Sequence, residues 1–265
     1  MNKEILQIIF LTSHSKAFLE GKIKGMYKNP PLAYNYRNIR FVSHLPSDDE
    51  NEARLVLAKN PNDWLAFLHQ EGVLKLHLTY QPSEELIQKA SRPLISSVKG
   101  RHWHVITEKE NGCDVWRCKW QLDARKEVMS YYYLFLSDVL LGEFNFPTLE
   151  MSKLYLKEIL NDLVTFTIKN ELANWTTVFK KALRSLDSKK ASDLIAPDIL
   201  PSGCYSLAAR QVLSACAIAW VFGGMGSWND VTHVHDYDLY RRLSANLYNT
   251  ICDSIVSVVN SFPLK

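Results

Sequence analysis

The chain has 265 residues, 47% hydrophobic and 22% charged, with a formal net charge of +3. These proportions exclude wholesale disorder and fit a soluble globular protein with a core large enough for one big domain or two small ones. So small a basic excess, with no dense Lys/Arg run, gives no general affinity for nucleic acid.

The N-terminal stretch Met1 to Leu11 is apolar but interrupted by Glu4 and Gln7, and it has no small-residue cleavage site. It does not read as a signal peptide. Ile5 to Leu11 fits either a helix or a strand. Pro30, Pro31, Tyr34 and Tyr36 mark an extended stretch, because a residue before proline avoids helical geometry. Ile39 to Val42 reads as a strand, and Pro46 to Asn51 as an acidic surface loop. Asn62 or Asp63 is placed to cap a short helix with Trp64, Phe67 and Leu68 on one face, ended by Gly72.

Leu74, Leu76, Leu78 and Tyr80 alternate with Lys75, His77 and Thr79, the pattern of a half-buried strand. Ser83 caps a short helix opened by Pro82, with Glu84 and Glu85 in its first turn. Residues 102–107 and 114–120 flank an Asn111-Gly112 pair, which predicts a β-hairpin carrying Trp103, Trp116 and Trp120. From Asp123 the spacing of Val128, Tyr131, Tyr132, Phe135 and Val139 predicts a helix closed by Gly142. Pro147-Thr148 then separates it from a helix with Leu156, Ile159, Leu160, Leu163 and Phe166 on one face.

Trp175, Val178, Phe179, Ala182, Leu183 and Leu186 define the next amphipathic helix. The pairs Lys180-Lys181 and Lys189-Lys190 lie around its end, where cations suit the helix dipole. Lys189 to Gly203 is a connection, with room for a helical turn at Ala191 to Ala196. Ser206 to Phe222 is apolar on nearly every side and reads as a central helix, and Tyr237 to Asn260 turns Tyr240, Leu243, Leu247, Ile251 and Ile255 inward. The longest apolar run, Ala215 to Phe222, is far short of the roughly 20 residues that span a bilayer, so the expected compartment is the cytoplasm.

Chemistry-bearing patterns are few. His102-Trp103-His104 and His233-Val234-His235, with Asp236 or Asp238, form an alternative metal set of the hydrolase type if the two pairs meet in space. The competing reading makes 233–238 a polar loop whose Asp236 or Asp238 caps the last helix. Five scattered cysteines fit reduced thiols, and Cys113 with Cys118, even facing across a hairpin, falls short of a tetrahedral zinc site. The glycines at 223, 224 and 226 follow no strand and precede no Gly-Lys-Ser/Thr, so they are not a phosphate loop. Gly223, Gly224 and Gly226 instead predict a positive-φ turn with close helix packing; Ser227 and Asp230 form a capping box, and Trp228 folds back onto the apolar helix. Trp103, Trp116 and Arg117 on the hairpin are candidate partner contacts, as are Asp48, Asp49 and Glu50, with core packing the competing role for the tryptophans. The same hairpin, with Arg101 and Lys119, carries a nucleic-acid-associated module as a further alternative.

The segment Ala219-Trp220-Val221-Phe222-Gly223-Gly224-Met225-Gly226-Ser227-Trp228-Asn229-Asp230, followed by the Tyr240 to Val259 helix and Asn260-Ser261, resembles the C-terminal region of bacterial immunity proteins. Those proteins are encoded beside polymorphic or contact-dependent-inhibition toxins and neutralise the cognate toxin domain. The resemblance spans roughly residues 206–261. It implies a non-enzymatic, cofactor-free protein whose partner is the C-terminal domain of a toxin, and which acts as a monomer or homodimer. Immunity proteins against nucleases are often acidic, and this slightly basic chain departs from that pattern.

The expected fold is α+β. A small mixed or antiparallel sheet occupies residues 1–121, including the hairpin 102–120, and a mainly helical bundle occupies 122–265, with a single integrated domain as the alternative.

Overall fold

The computed structural model describes residues 1, 3–24, 38–44, 55–82, 101–122, 128–140, 145–189, 199–223 and 225–262. The expectations for Pro30 to Tyr36, Pro46 to Asn51, the Ser83 helix, Ala191 to Ala196, and residues Asp48, Asp49, Glu50 and Gly224 lie outside them. The fold is mixed α+β, and the chain divides into two compact units. A sheet unit comprises Gln7–Asn145, and a helical unit comprises Met1–Leu6 with Phe146–Lys265.

The first helix, α1 (Lys3–Leu19), resolves the ambiguous N-terminal segment. It is buried on nearly every side: Ile8, Ile9 and Leu11 are fully covered, as are Thr12, Ser13 and Ser15. Ser15 satisfies its hydroxyl by donating to the Leu11 carbonyl at 2.6 Å, which lets a polar residue sit inside.

Six strands form one sheet: β1 (Ile39–Val42), β2 (Val56–Ala58), β3 (Lys75–Pro82), β4 (Arg101–Lys109), β5 (Gly112–Leu122) and β6 (Val128–Val139), in the order β2-β1-β6-β5-β4-β3. Only the β1–β6 pair is parallel; the other four pairs are antiparallel. The expected β4–β5 hairpin is present, but it turns at Glu110-Asn111, with Gly112 already paired to Lys109 and neither Asn111 nor Gly112 at positive φ, so the Asn-Gly geometry is not what closes it. The alternation in β3 also holds: Leu76 and Leu78 are buried, while Leu74 precedes the strand and is exposed.

Helix α2 (Pro61–Gln70) is capped by Asn60, not by Asn62 or Asp63. Pro61 at the first helical position explains the shift, since its fixed φ and missing N–H belong there. The Asn60 side chain then accepts from the Asp63 N–H at 3.0 Å. Gly72, at φ +68, closes the helix as expected.

The segment 128–139 is a strand and not the expected helix. β6 pairs with β5 from Leu122↔Val128 to Cys113↔Val139 and with β1 from Ile39↔Ser130 to Val42↔Tyr133. Its residues Met-Ser-Tyr-Tyr-Tyr-Leu-Phe-Leu are apolar or aromatic on both faces, so period-2 contrast is absent and the apolar positions also fit a helix by accident. The passage from sheet to helix therefore comes after β6. Cys113 and Cys118, which the sequence would allow to face each other across a hairpin, both lie on β5.

The sheet unit is centred on aromatic packing. The Phe41 ring stacks on Trp64 at 4.5 Å and on Tyr132 at 5.3 Å, and Trp116 meets Phe41, Trp64 and Phe67 edge-on. Trp64, Trp116, Tyr132 and Phe41 are fully buried. Such rings bury about 150–250 Å² each and dominate the stability of a core.

Four helices make the helical unit: α3 (Leu149–Lys169), α4 (Ala173–Leu186), α5 (Leu207–Ala219) and α6 (Tyr237–Asn260). Thr148, Ser206 and Asp236 cap α3, α5 and α6, each accepting from a backbone N–H three residues on. The faces read from the sequence are the buried ones. Leu156, Leu160 and Leu163 of α3, Phe179, Ala182 and Leu186 of α4, and Leu247, Ile251 and Ile255 of α6 are fully covered. Among the described residues no helix is long and apolar enough to cross a membrane.

Candidate functional site: a braced corner and an aromatic groove

The corner between α5 and α6 is built by hydrogen bonds that close within a few residues. Helix α5 stops at Ala219, three residues short of the sequence expectation, and Trp220 to Phe222 run on without helical structure. A period-2 segment sends alternate side chains to opposite sides. Val221 accordingly points inward and is buried, while Trp220 and Phe222 stay half-exposed.

Gly226 sits at φ +81, in the left-handed region that costs an L-residue roughly 1–2 kcal/mol. A Cβ built on Gly223 or Gly226 meets nothing within 4 Å. Close helix packing, the other role expected of these glycines, is therefore not what requires them. Backbone freedom at Gly226 is the requirement.

The capping box is present as the sequence predicts. The Ser227 hydroxyl accepts from the Asn229 N–H at 3.3 Å, and the Asp230 carboxylate accepts from the N–H groups of Gly226 at 2.6 Å and Ser227 at 3.2 Å. Ser227 also donates to the Gly223 carbonyl at 3.1 Å. The Trp228 N–H bonds back to the Val221 carbonyl at 3.1 Å, which ties the two arms of the corner together.

Trp228 is fully buried. Its ring is met by Phe166 of α3, Trp175 and Phe179 of α4, and Tyr240 of α6, with centroids 5.1–6.4 Å apart. The indole N–H donates to Ser244 Oγ at 2.7 Å, and the Tyr240 hydroxyl donates to the Trp228 carbonyl at 2.5 Å. Burial raises the Tyr240 phenol above its usual pKa, which keeps it a donor. Trp228 is therefore inside as expected, but its ring meets an aromatic cluster drawn from three other helices and not the apolar helix α5 onto which it was expected to fold.

With Trp228 inside, the other aromatics of the corner remain at the surface. Trp175 and Val178 of α4, Ile218 of α5, and Trp220, Phe222 and Met225 line an open groove of about 430 Å³. Met225 is fully exposed. Tyr248 of α6 braces the groove from the side, with its ring 5.6 Å from Trp220 and 5.2 Å from Phe222. The polar boundary comes only from the glycines and Ser227. Among the described residues, the groove is thus walled by apolar side chains beside a turn held by short-range hydrogen bonds. No sequence signal marks this surface: Trp220, Val221 and Phe222 are all apolar and simply continue the run that predicts helix.

The hairpin candidates lie elsewhere, in the sheet unit. Trp116 is fully buried and donates from its indole to Thr107 Oγ1 at 3.2 Å; Trp103 is buried against Tyr80. Neither presents its ring to a partner, because the covered sheet face consumes both. Arg117 is half-buried with its guanidinium 5.8 Å from the Phe135 ring centre.

The two His-x-His pairs fall in different units. His102 and His104 are on β4 with ring centres 6.4 Å apart, and burial pushes the His104 pKa down to about 3, aided by the nearby Arg117 and His102. His233 and His235 are exposed in the 231–236 segment, where the His235 N–H donates to Asn170 Oδ1 at 2.7 Å. Asp236 caps α6 by accepting from the Leu239 N–H at 2.8 Å, the role in which the polar-loop reading placed it. Among the described residues no three His, Cys, Asp or Glu side chains are arranged to hold a metal ion.

No family model, curated protein or solved structure matches the chain.

Proposed function

We propose that this protein is a toxin-neutralising binding protein of the immunity type, acting by occlusion and not by catalysis. The observation that carries the proposal is the surface at the α5–α6 corner. Within the wording that resembles immunity proteins, Gly226, Ser227 and Asp230 build a turn held by its own hydrogen bonds, and beside it Trp220 and Phe222 are half-exposed and Met225 stands at the surface. Apolar aromatic anchors on a preorganised frame are what a tight protein interface uses, because little side-chain entropy is lost when they dock.

The test is direct. The full-length protein is mixed with the toxin domain encoded by the adjacent gene and followed by titration calorimetry and size-exclusion chromatography. The expected result is a stoichiometric complex and loss of the toxin's activity. Absence of a complex at micromolar concentrations overturns the proposal.

A further inference from the structure

We propose that the sheet face carrying His104 binds a small oxyanion, a phosphate or carboxylate group, through the imidazole of His104, the guanidinium of Arg117 and the phenol of Tyr133. None of these residues belongs to the corner, so the oxyanion site and the immunity function stand or fall separately.

Strand pairing sets the residues in two adjacent rows. Thr79, His104, Arg117 and Tyr133 are paired in succession across β3, β4, β5 and β6, and paired residues share a face. Two residues along each strand, on the same face, Gln81 pairs with His102 and Lys119 with Tyr131. The inner row is covered: Thr79, His104 and Tyr133 are buried and Arg117 is half-buried. Every member of the outer row is half-exposed, so a small solute approaches from that side.

The inner row lacks an acceptor. His104 is fully buried, and neither of its ring nitrogens has a hydrogen-bond partner. One of them carries a proton to donate, and a buried donor left unpaired bears its whole desolvation penalty. Facing His104 among the described residues are Thr79 from β3, His102 from β4, Arg117 from β5, and Phe135 and Tyr133 from β6. The Arg117 guanidinium lies 5.8 Å and the His104 ring 5.6 Å from the Phe135 ring centre, which draws the two together. The His102 ring is 6.4 Å from that of His104.

Among the described residues neither row holds an Asp or Glu. The one carboxylate of β4, Glu108, lies four residues from His104 and is taken by His77 at 3.1 Å and Lys75 at 3.5 Å. Burial first, then Arg117 and His102, hold the His104 pKa down to about 3. Burial also raises the Tyr133 phenol, against the opposing pull of Arg117, and so keeps it a donor. A positive potential around an uncharged imidazole resists a proton or a metal ion and favours an anion. A bound oxyanion would in turn ease protonation of His104, so anion and proton bind cooperatively.

The experiment compares the full-length protein in sodium sulfate, sodium formate and sodium chloride of equal ionic strength, at about pH 5.5 and about pH 8. Sulfate stands in for a phosphate group and formate for a carboxylate, and each keeps its charge at both pH values. The readouts are the melting temperature and the imidazole 15N shifts of His104. Sulfate or formate should raise the melting temperature above the chloride value, more at the lower pH, and should move the His104 titration to higher pH. A response to sulfate alone assigns a phosphate group, and one to formate alone a carboxylate. Arg117→Gln should weaken anion binding about tenfold. His104→Leu should remove the pH dependence of the anion effect. Circular dichroism checks that each variant is folded, and half-buried Arg117 keeps the test valid if His104→Leu unfolds the sheet. Equal melting temperatures in the three salts, a rise that both variants retain in full, or His104 shifts indifferent to the anion overturns the proposal.

Discussion

The aromatic clusters of the two units use the same residue types to different ends. In the sheet unit Phe41, Trp64, Trp116 and Tyr132 come from β1, α2, β5 and β6, and all four are fully covered. In the helical unit the corner divides its aromatics: Trp228 goes to the core, while Trp220 and Phe222, only a few residues earlier, remain half-exposed beside Tyr248. The sheet unit also keeps aromatics half-exposed, Trp120 and Tyr131 among them, but Phe41, Trp64, Trp116 and Tyr132 are wholly given to packing. A turn with one arm inside and one outside can serve packing and recognition together.

The largest expected effects test the claim that both tryptophans are core. Trp116→Ala and Trp228→Ala should each cost about 3–5 kcal/mol, measured by denaturant unfolding. The second should also release Ser244 Oγ from the indole N–H, while the residue-228 carbonyl that accepts from Tyr240 remains. A loss below 1 kcal/mol for Trp228→Ala, on the scale of an exposed substitution, would remove the distinction between the arms of the corner.

Next comes the pH response of the sheet unit. His104 is fully buried, and its pKa falls from 6.5 to about 3, so the unfolded chain takes up a proton that the folded state resists. Stability is therefore fully present above the unfolded value of 6.5 and declines as the pH is lowered towards 3, where the loss levels off. His77, its pKa lowered mainly by burial and also by Lys16, adds to the same slope. His104→Leu should flatten the dependence of the denaturation midpoint on pH across that window. An unchanged slope would show that the imidazole is not held neutral by burial.

Smaller effects sharpen the account of the corner. Gly226→Ala should cost roughly 1–2 kcal/mol, because its φ is positive, whereas Gly223→Ala, with open space around the new methyl and no positive φ, should be close to neutral. Equal costs at the two positions would contradict a role confined to Gly226. Asp230→Ala should cost about 0.5–2 kcal/mol by leaving the Gly226 and Ser227 N–H groups without their acceptor. Met225→Ala should leave stability within about 0.5 kcal/mol of the parent while weakening partner binding.

Reading from sequence succeeded where a feature is encoded within one turn or one hairpin. The inward face of α6 and the Ser227–Asp230 capping box depend on neighbours four residues away or fewer, and each has the structure its sequence predicts. It failed for 128–139, where apolar side chains on both faces erase the period that distinguishes strand from helix. For the hairpin tryptophans it left core packing and partner contact side by side, since nothing local tells Trp116 that Trp64, Phe67 and Phe41 will cover it.

The sequence by itself determined the inward faces of α3 and α6, the Asp236 cap and the left-handed Gly226 at the corner, because those follow from backbone hydrogen bonding and sterics among near neighbours. The tertiary structure alone decided that β6 enters the sheet between β1 and β5, and which tryptophans are buried and which line the groove. Burial is a property of the elements that close over a side chain, and those elements come from distant parts of the chain.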